Sequence, residues 1–251
     1  SLSPIRLPLL PAFFNAAAPP ALPPPSLPDA LPIFPWHLRR IIKITRPDIL
    51  HLHLPNPSAF WALALPGLWL IWQWSLLLNG ATNDLGFNPI EKTHRFLGDT
   101  ALRILLISLA VTPFRDLTRW LPIMKIRRRI GLAAFWYAAA HLSAYLGLDL
   151  YLAAGMSLGG MWAGLWEDVV KRIYITLGMT AYILILPLAL TSFNSMVRRL
   201  GARLWKNLHY SVYPLAVIAC LYYGFMVKGN QLGPWIHGGI LALLLAYRAG
   251  V

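Results

Sequence analysis

From Phe60 to the C-terminus the chain is a train of apolar runs, each near the ~20 residues that a helix needs to cross a bilayer. They are Phe60–Leu78, Thr100–Phe114, Ile130–Leu152, Ile173–Phe193, Leu208–Val227 and Pro234–Tyr247. The second is short unless Phe96–Asp99 extends it. In lipid every backbone amide and carbonyl must find its partner within the protein, and a helix does so locally. The expected fold is therefore all-α, a bundle of six transmembrane helices. Composition supports this: 57% of residues are hydrophobic and 12% charged, against about 25% charged in an ordinary soluble domain. The mean hydropathy is +0.56. A soluble globule of 251 residues could not hide that much apolar surface. Water-soluble enzymes and disordered tails are excluded on this ground. Cys220 is the single cysteine, which excludes a disulfide framework and any cysteine-based metal or iron–sulfur site.

Lys+Arg is 22 and Asp+Glu is 9, a formal charge of +13. In a soluble chain this would suggest nucleic acid. In a membrane chain it means basic loops on the cytoplasmic side, with the lipid bilayer as solvent and no nucleic-acid partner. Arg115, Arg119, Lys125, Arg127, Arg128 and Arg129 lie between runs two and three. Arg198, Arg199, Arg203 and Lys206 lie between runs four and five. The intervening loops are nearly neutral. The alternation predicts both termini in the cytoplasm.

Residues 1–58 differ from the rest. They hold 14 of the 21 prolines, including Pro23-Pro24-Pro25. Proline fixes φ and removes a donor, so a disordered or extended leader is expected there. Ser26 to Ile33 is close to the translation of a common sequencing adapter, so the leader is read either as genuine or as an artefact. His51 and His53 within it are read as inert. The expected organisation is a leader at 1–58 and a membrane domain at 59–251. Little chain follows Arg248, which suggests truncation at that end.

An ionisable residue inside a span is costly and is a functional candidate by default. His141 lies eleven residues past Ile130, about 17 Å deep at 1.5 Å per residue. His209 opens the fifth run, and His237 lies early in the sixth. His94 is assigned to the loop before the second run, and Asp149 to the far end of the third. Histidines on facing helices suit axial ligation of haem iron; the plainer alternative is hydrogen bonding between helices. Axial atoms on one iron sit about 4 Å apart, twice a metal–nitrogen bond of about 2 Å. His141 and His209 differ in expected depth, so they share one iron only if the helices tilt or kink. His141 with His237 and His141 with Tyr222 are the alternatives. In either case His209 is left to serve a propionate, a flavin or a quinone.

Several words of the sequence carry a resemblance. They are Phe96-Leu97-Gly98-Asp99-Thr100-Ala101-Leu102-Arg103, Val111-Thr112-Pro113, and Arg128-Arg129-Ile130-Gly131-Leu132 leading to Ala140-His141-Leu142. Lys171-Arg172-Ile173-Tyr174-Ile175-Thr176-Leu177-Gly178, Leu190-Thr191-Ser192, Leu200-Gly201 through Trp205 to Leu208-His209, and Val212-Tyr213 follow in order. In these words the chain resembles the MsrQ (YedZ) family, within the ferric-reductase-like transmembrane group. The leader is not covered.

The resemblance implies six helices, haem b, a flavin mononucleotide (FMN), and electrons drawn from the quinone pool of the bacterial inner membrane. They would pass outward to a periplasmic molybdenum subunit, MsrP, that reduces methionine sulfoxide in proteins. By position, His141 and His209 match family histidines. A second family histidine, thirteen residues after His209, is here Tyr222. His237 is the preferred replacement ligand, against a plainer reading in which it caps the start of the sixth run. Arg127, Arg128 and Arg129, with Arg198–Arg203, could neutralise haem propionates or a flavin phosphate. The rival reading is a small transporter or channel subunit without haem. It would need an internal repeat or broken helices, for which Pro187 and Pro214 are the candidates.

Overall fold

The computed structural model describes residues 57–227 and 231–250. Most of the 1–58 leader, with His51 and His53, lies outside the described residues. The described chain forms eight α-helices, with no strand among the described residues. They are α1 (Pro57–Leu78), α2 (Pro89–Thr118), α3 (Met124–Ala144), α4 (Leu158–Lys171), α5 (Ile173–Leu190), α6 (Asn194–His209), α7 (Val212–Met226) and α8 (Leu232–Ala249). A π-helical segment, Tyr145–Tyr151, continues α3.

Each of the six apolar runs falls on a helix, but the boundaries move. By length and composition three helices could cross a membrane alone: Phe60–Leu78, Pro89–Thr118 and Ile173–Leu190. Asn194–His209 with Val212–Met226, bent by 41°, make up to a fourth. The second run is not short. Asn88 accepts a hydrogen bond from the Glu91 amide at 3.1 Å and Pro89 takes the first helical position, so α2 starts well before Thr100. The fifth run does not begin at Leu208. Gly201, with φ 73° and ψ 161°, interrupts α6, and the shaft starts again at Val212. Pro187 lies inside α5, and Pro214 lies in the first turn of α7, where its missing N–H has no helical acceptor. Neither breaks its helix.

Pro66 sits inside α1. One turn away, Tyr137 of α3 donates to the Leu63 carbonyl and accepts from the Gly67 amide, both at 2.8 Å. A regular helix would pair those two backbone groups with each other; here a phenol from α3 stands between them. The loop from α1 to α2 is tied down by polar contacts. Buried Gln73 accepts from the Asp84 amide at 2.8 Å, and Trp74 Nε1 donates to Thr93 Oγ1 at 2.9 Å.

The main packing is in two pairs, α2 against α3 and α5 against α7. α8 lies on α2 and α7, and α1 lies on α3 and α2. The core lines the seams with Leu102, Leu105, Leu109, Ala134, Ile185, Leu215 and Ala216. The outward faces carry exposed Phe60, Ile71, Trp136, Ile183 and Leu243. Large apolar side chains facing outward all round a bundle are what lipid contact requires and what water would penalise.

α4 is different. It is short and amphipathic, with Met161 and Leu165 buried and Trp162 and Trp166 exposed. Ser157 caps it by accepting from the Gly160 amide at 3.3 Å. The chain reaches Ser157 through Gly155 and Met156, both in the left-handed region, φ 60° and 63°. At the opposite end of the bundle, α6 is an amphipathic surface helix bearing Arg198, Arg199, Arg203 and Lys206.

Candidate functional site

A cavity of about 390 Å³ lies between the two helix pairs. Its walls come from α2, α3, α5 and α7. Leu105, Ala134, Ile185 and Leu215 line its apolar depth; His94, Arg95, Asp99, Asp149, Arg172 and Gln231 line the other end. The size suits a cofactor, since such sites run from about 300 to 1,000 Å³.

His141 enters from α3 and Tyr222 from α7. His141 Nε2 and the Tyr222 hydroxyl are 3.1 Å apart. The rings are 6.1 Å apart between centroids and nearly perpendicular, at 75°. Two glycines make room for them. A Cβ on Gly98 would stand 3.3 Å from His141 Cε1, and one on Gly178 would stand 3.2 Å from Tyr222 Cε2. Each glycine belongs to the partner helix of its pair, α2 for His141 and α5 for Tyr222. His141 Nδ1 is buried with no hydrogen-bond partner.

His94 was expected in a loop. Instead it lies in α2, one turn before Gly98, buried and edge-on to His141 at 5.7 Å between centroids. Its Nε2 is 2.7 Å from Asp149 Oδ2, a close polar contact without the alignment of a hydrogen bond. Asp149 sits in the π-helical segment, whose extra residue per turn changes the register that α3 would otherwise continue. Sequence reasoning missed His94 because the second run was started too late. The signal was present: Asn88-Pro89-Ile90-Glu91 is an N-cap, a first-turn proline and a first-turn acid.

The other sequence candidates lie apart from this cavity. His209 ends α6 rather than opening the α7 shaft. It stacks on Trp205 at 4.0 Å, with Nδ1 3.0 Å from the Trp205 carbonyl oxygen. Burial there lowers its pKa, opposed by that carbonyl and aided by the charges of Arg127 and Arg128. His237 is not among the cavity-lining residues. Its Nδ1 is 2.8 Å from the Gly233 carbonyl oxygen and its ring meets Tyr223 edge-on at 5.4 Å. The structure thus sets His237 apart from the cavity lining, against the ring of Tyr223, which does line it. Arg128 and Arg129 are exposed at the other end of the bundle, where Arg128 donates to Asn194 Oδ1 at 2.5 Å. They do not line the cavity either.

No cluster of three side chains able to hold a bare metal ion occurs among the described residues. The residues present fit a metal held mainly by its own macrocycle. An imidazole and a phenol face each other over apolar walls. His141 and Tyr222, whose polar atoms lie 3.1 Å apart, are the side chains that would hold such a group.

Comparison with known proteins agrees. The family model described as ferric reductase like transmembrane component matches residues 97–220, which include Gly98, His141, Gly178 and His209. The chain is similar to the protein-methionine-sulfoxide reductase heme-binding subunit MsrQ of Rhodospirillum rubrum. The two are 46% identical over 191 residues, 76% of this chain and 85% of that protein. The protein of the same name from Xanthomonas campestris pv. campestris is 42% identical over 187 residues, 74% of this chain and 82% of its own length. That from Xanthomonas euvesicatoria pv. vesicatoria is 40% identical over 197 residues, 78% and 84% of the two chains. By identity and coverage this chain belongs to the MsrQ family of ferric-reductase-like transmembrane proteins.

Proposed function

We propose that this chain is a membrane electron carrier that holds haem b between its two helix pairs. The observation that carries the reading is the facing of His141 and Tyr222 across an apolar cavity, each admitted by a glycine on the neighbouring helix. When bound, the haem supplies a one-electron couple inside an insulating medium. The chain's own residues do the rest. His141 offers Nε2 to the iron from α3, and Tyr222 offers its hydroxyl oxygen from α7. Leu105, Ala134, Ile185 and Leu215 keep water from the buried end. Held by both side chains, the group would supply electron transfer in preference to oxygen chemistry. His209 and His237 serve local structure in this reading.

The membrane setting follows from the apolar helices. The crossing number of six, with both termini in the cytoplasm, rests on the loop charges. It places the His94 end of the cavity on the periplasmic side, and α6 with its arginines on the cytoplasmic side. On the periplasmic side the exposed α4 helix and the rim around Arg172 would meet the reductase that takes the electrons. A quinol donor, the periplasmic molybdenum subunit MsrP and an associated FMN belong to this reading through the family resemblance.

The first test is optical. Purified full-length protein, expressed with ample porphyrin supply, is expected to show a Soret band that the His141→Ala variant loses. A colourless wild-type protein overturns the proposal in favour of a transporter or channel subunit. A quinol analogue that reduces the haem, and reoxidation by the purified periplasmic partner, test the two ends of the chain. Fluorescence of an acid extract tests the flavin.

A further inference from the structure

The cavity has two unlike ends, and this polarity bears on how a porphyrin stands in it. We propose that Arg95 and Arg172 bind the two propionate carboxylates of the haem, so that the macrocycle lies with its acid edge at the His94 mouth. The proposal rests on the haem reading given above and deepens it.

Arg95 and Arg172 are the only arginines or lysines that line the cavity among the described residues, and they reach it from different elements. Arg95 stands in the second turn of α2; Arg172 links α4 to α5. Both are about half exposed, at 56% and 53% of the side chain. They therefore stand on the rim and need not be desolvated to meet a carboxylate. Arg172 is aimed by its neighbours. Its Nε is 3.2 Å from Asp168 Oδ1, and Asp168 in turn accepts from the Tyr145 hydroxyl at 2.5 Å. Arg95 is held more loosely, by Glu91 one turn back at 2.8 Å.

Neither existing partner exhausts its guanidinium. A guanidinium offers five N–H donors in a fork, and a single carboxylate takes at most two. Exposed ion pairs of this kind are weak and exchange readily. The rim also has two acids, and both have cationic or imidazole neighbours. Asp99 lies 3.7 Å from Arg103, and Asp149 lies 2.7 Å from His94. The opposite orientation would drive two carboxylates against Leu105, Ala134, Ile185 and Leu215, where no donor waits for them. The arginines expected from sequence to neutralise propionates, Arg128 and Arg129, stand at the far end of the bundle.

The test compares two porphyrins on one protein. The haem-free full-length chain in detergent is titrated with haem and with haem dimethyl ester, following the Soret band. The proposal expects the unmodified chain to prefer free-acid haem. Arg95→Gln and Arg172→Gln should each cut haem affinity about tenfold, the strength of a charge-assisted hydrogen bond at a wet rim. Affinity for the ester should stay unchanged, which also reports that the variants are folded. Arg128→Gln with Arg129→Gln should change neither. A preference for the free acid that survives the Arg95→Gln, Arg172→Gln double variant overturns the proposal while leaving the haem reading intact. So does a preference that disappears only in the Arg128, Arg129 variant, and so does equal binding of both porphyrins by the unmodified chain. If the unmodified chain binds neither porphyrin, the haem reading fails and this proposal falls with it.

Discussion

His141 and Tyr222 meet nitrogen to oxygen at 3.1 Å, one ring from each tightly packed helix pair. The contact joins the two pairs through side-chain polar atoms beside an otherwise apolar cavity wall. The contact is therefore both a seam of the fold and the most specific feature of the cavity, and its two members can be tested separately.

Replacing His141 by Ala should abolish haem retention, measured as Soret absorbance per protein. Replacing Tyr222 by Phe should keep most of the haem but alter its coordination, read by electron-spin resonance. Tyr222→His should yield a six-coordinate, low-spin, bis-imidazole spectrum and a higher midpoint potential, because an anionic phenolate favours ferric iron. His237→Ala should leave all of these unchanged; a lost ligand field in that variant would reinstate His237.

The glycines admit the rings, so side chains there should push them out. Gly98→Val and Gly178→Val each add bulk where even a Cβ meets a ring atom at 3.3 or 3.2 Å. Overpacking of this kind costs about 1–3 kcal/mol. Haem content should fall in both variants, and the thermal midpoint of the Soret band should fall with it. Wild-type haem content in Gly98→Val would show that His141 does not need its present position.

Tyr137 predicts a stability effect without a spectral one. Its hydroxyl serves both the Leu63 carbonyl and the Gly67 amide beside Pro66. Tyr137→Phe should cost about 1–3 kcal/mol, the range for stranding buried polar groups. The measurement is thermal or denaturant unfolding in detergent. The haem spectrum should not move, because Tyr137 does not line the cavity.

Asn88→Ala removes the cap that begins α2 beneath His94. A loss of about 1 kcal/mol is expected. Hydrogen exchange should quicken over Ile90–His94 and stay unchanged in α5, which separates local fraying from general destabilisation.

Much of the architecture was legible because lipid imposes it. Apolar runs of the right length had to be helices, and all six are helical over most of their length, the fifth across the turn between α6 and α7. His141 was found because an imidazole deep in a run has no cheap explanation. Three features were not legible, each for a physical reason. The start of α2 was signalled by capping residues, Asn88 and Pro89, that hydropathy averages away. The π-helical segment at Tyr145–Tyr151 has an ordinary apolar sequence, and tertiary contacts decide its winding. The kink at Gly201 falls inside the basic surface helix α6, and a glycine alone does not announce which backbone region it will take. The turn at Tyr210 and Ser211 parts α6 from α7 and leaves His209 at the end of the basic helix. The cavity itself depends on which helices pair, and no single run encodes that.

The division of the cavity between α2/α3 and α5/α7 also sets an order of events. The first pair is finished when the chain has been made as far as the π-helical segment, but the opposite wall extends to Gln231. Until that second pair docks, His141 has a groove beside it rather than an enclosure. The chamber is thus closed last, from the side, by the late-synthesised half of the protein, so a large flat guest has its easiest entry before assembly is complete.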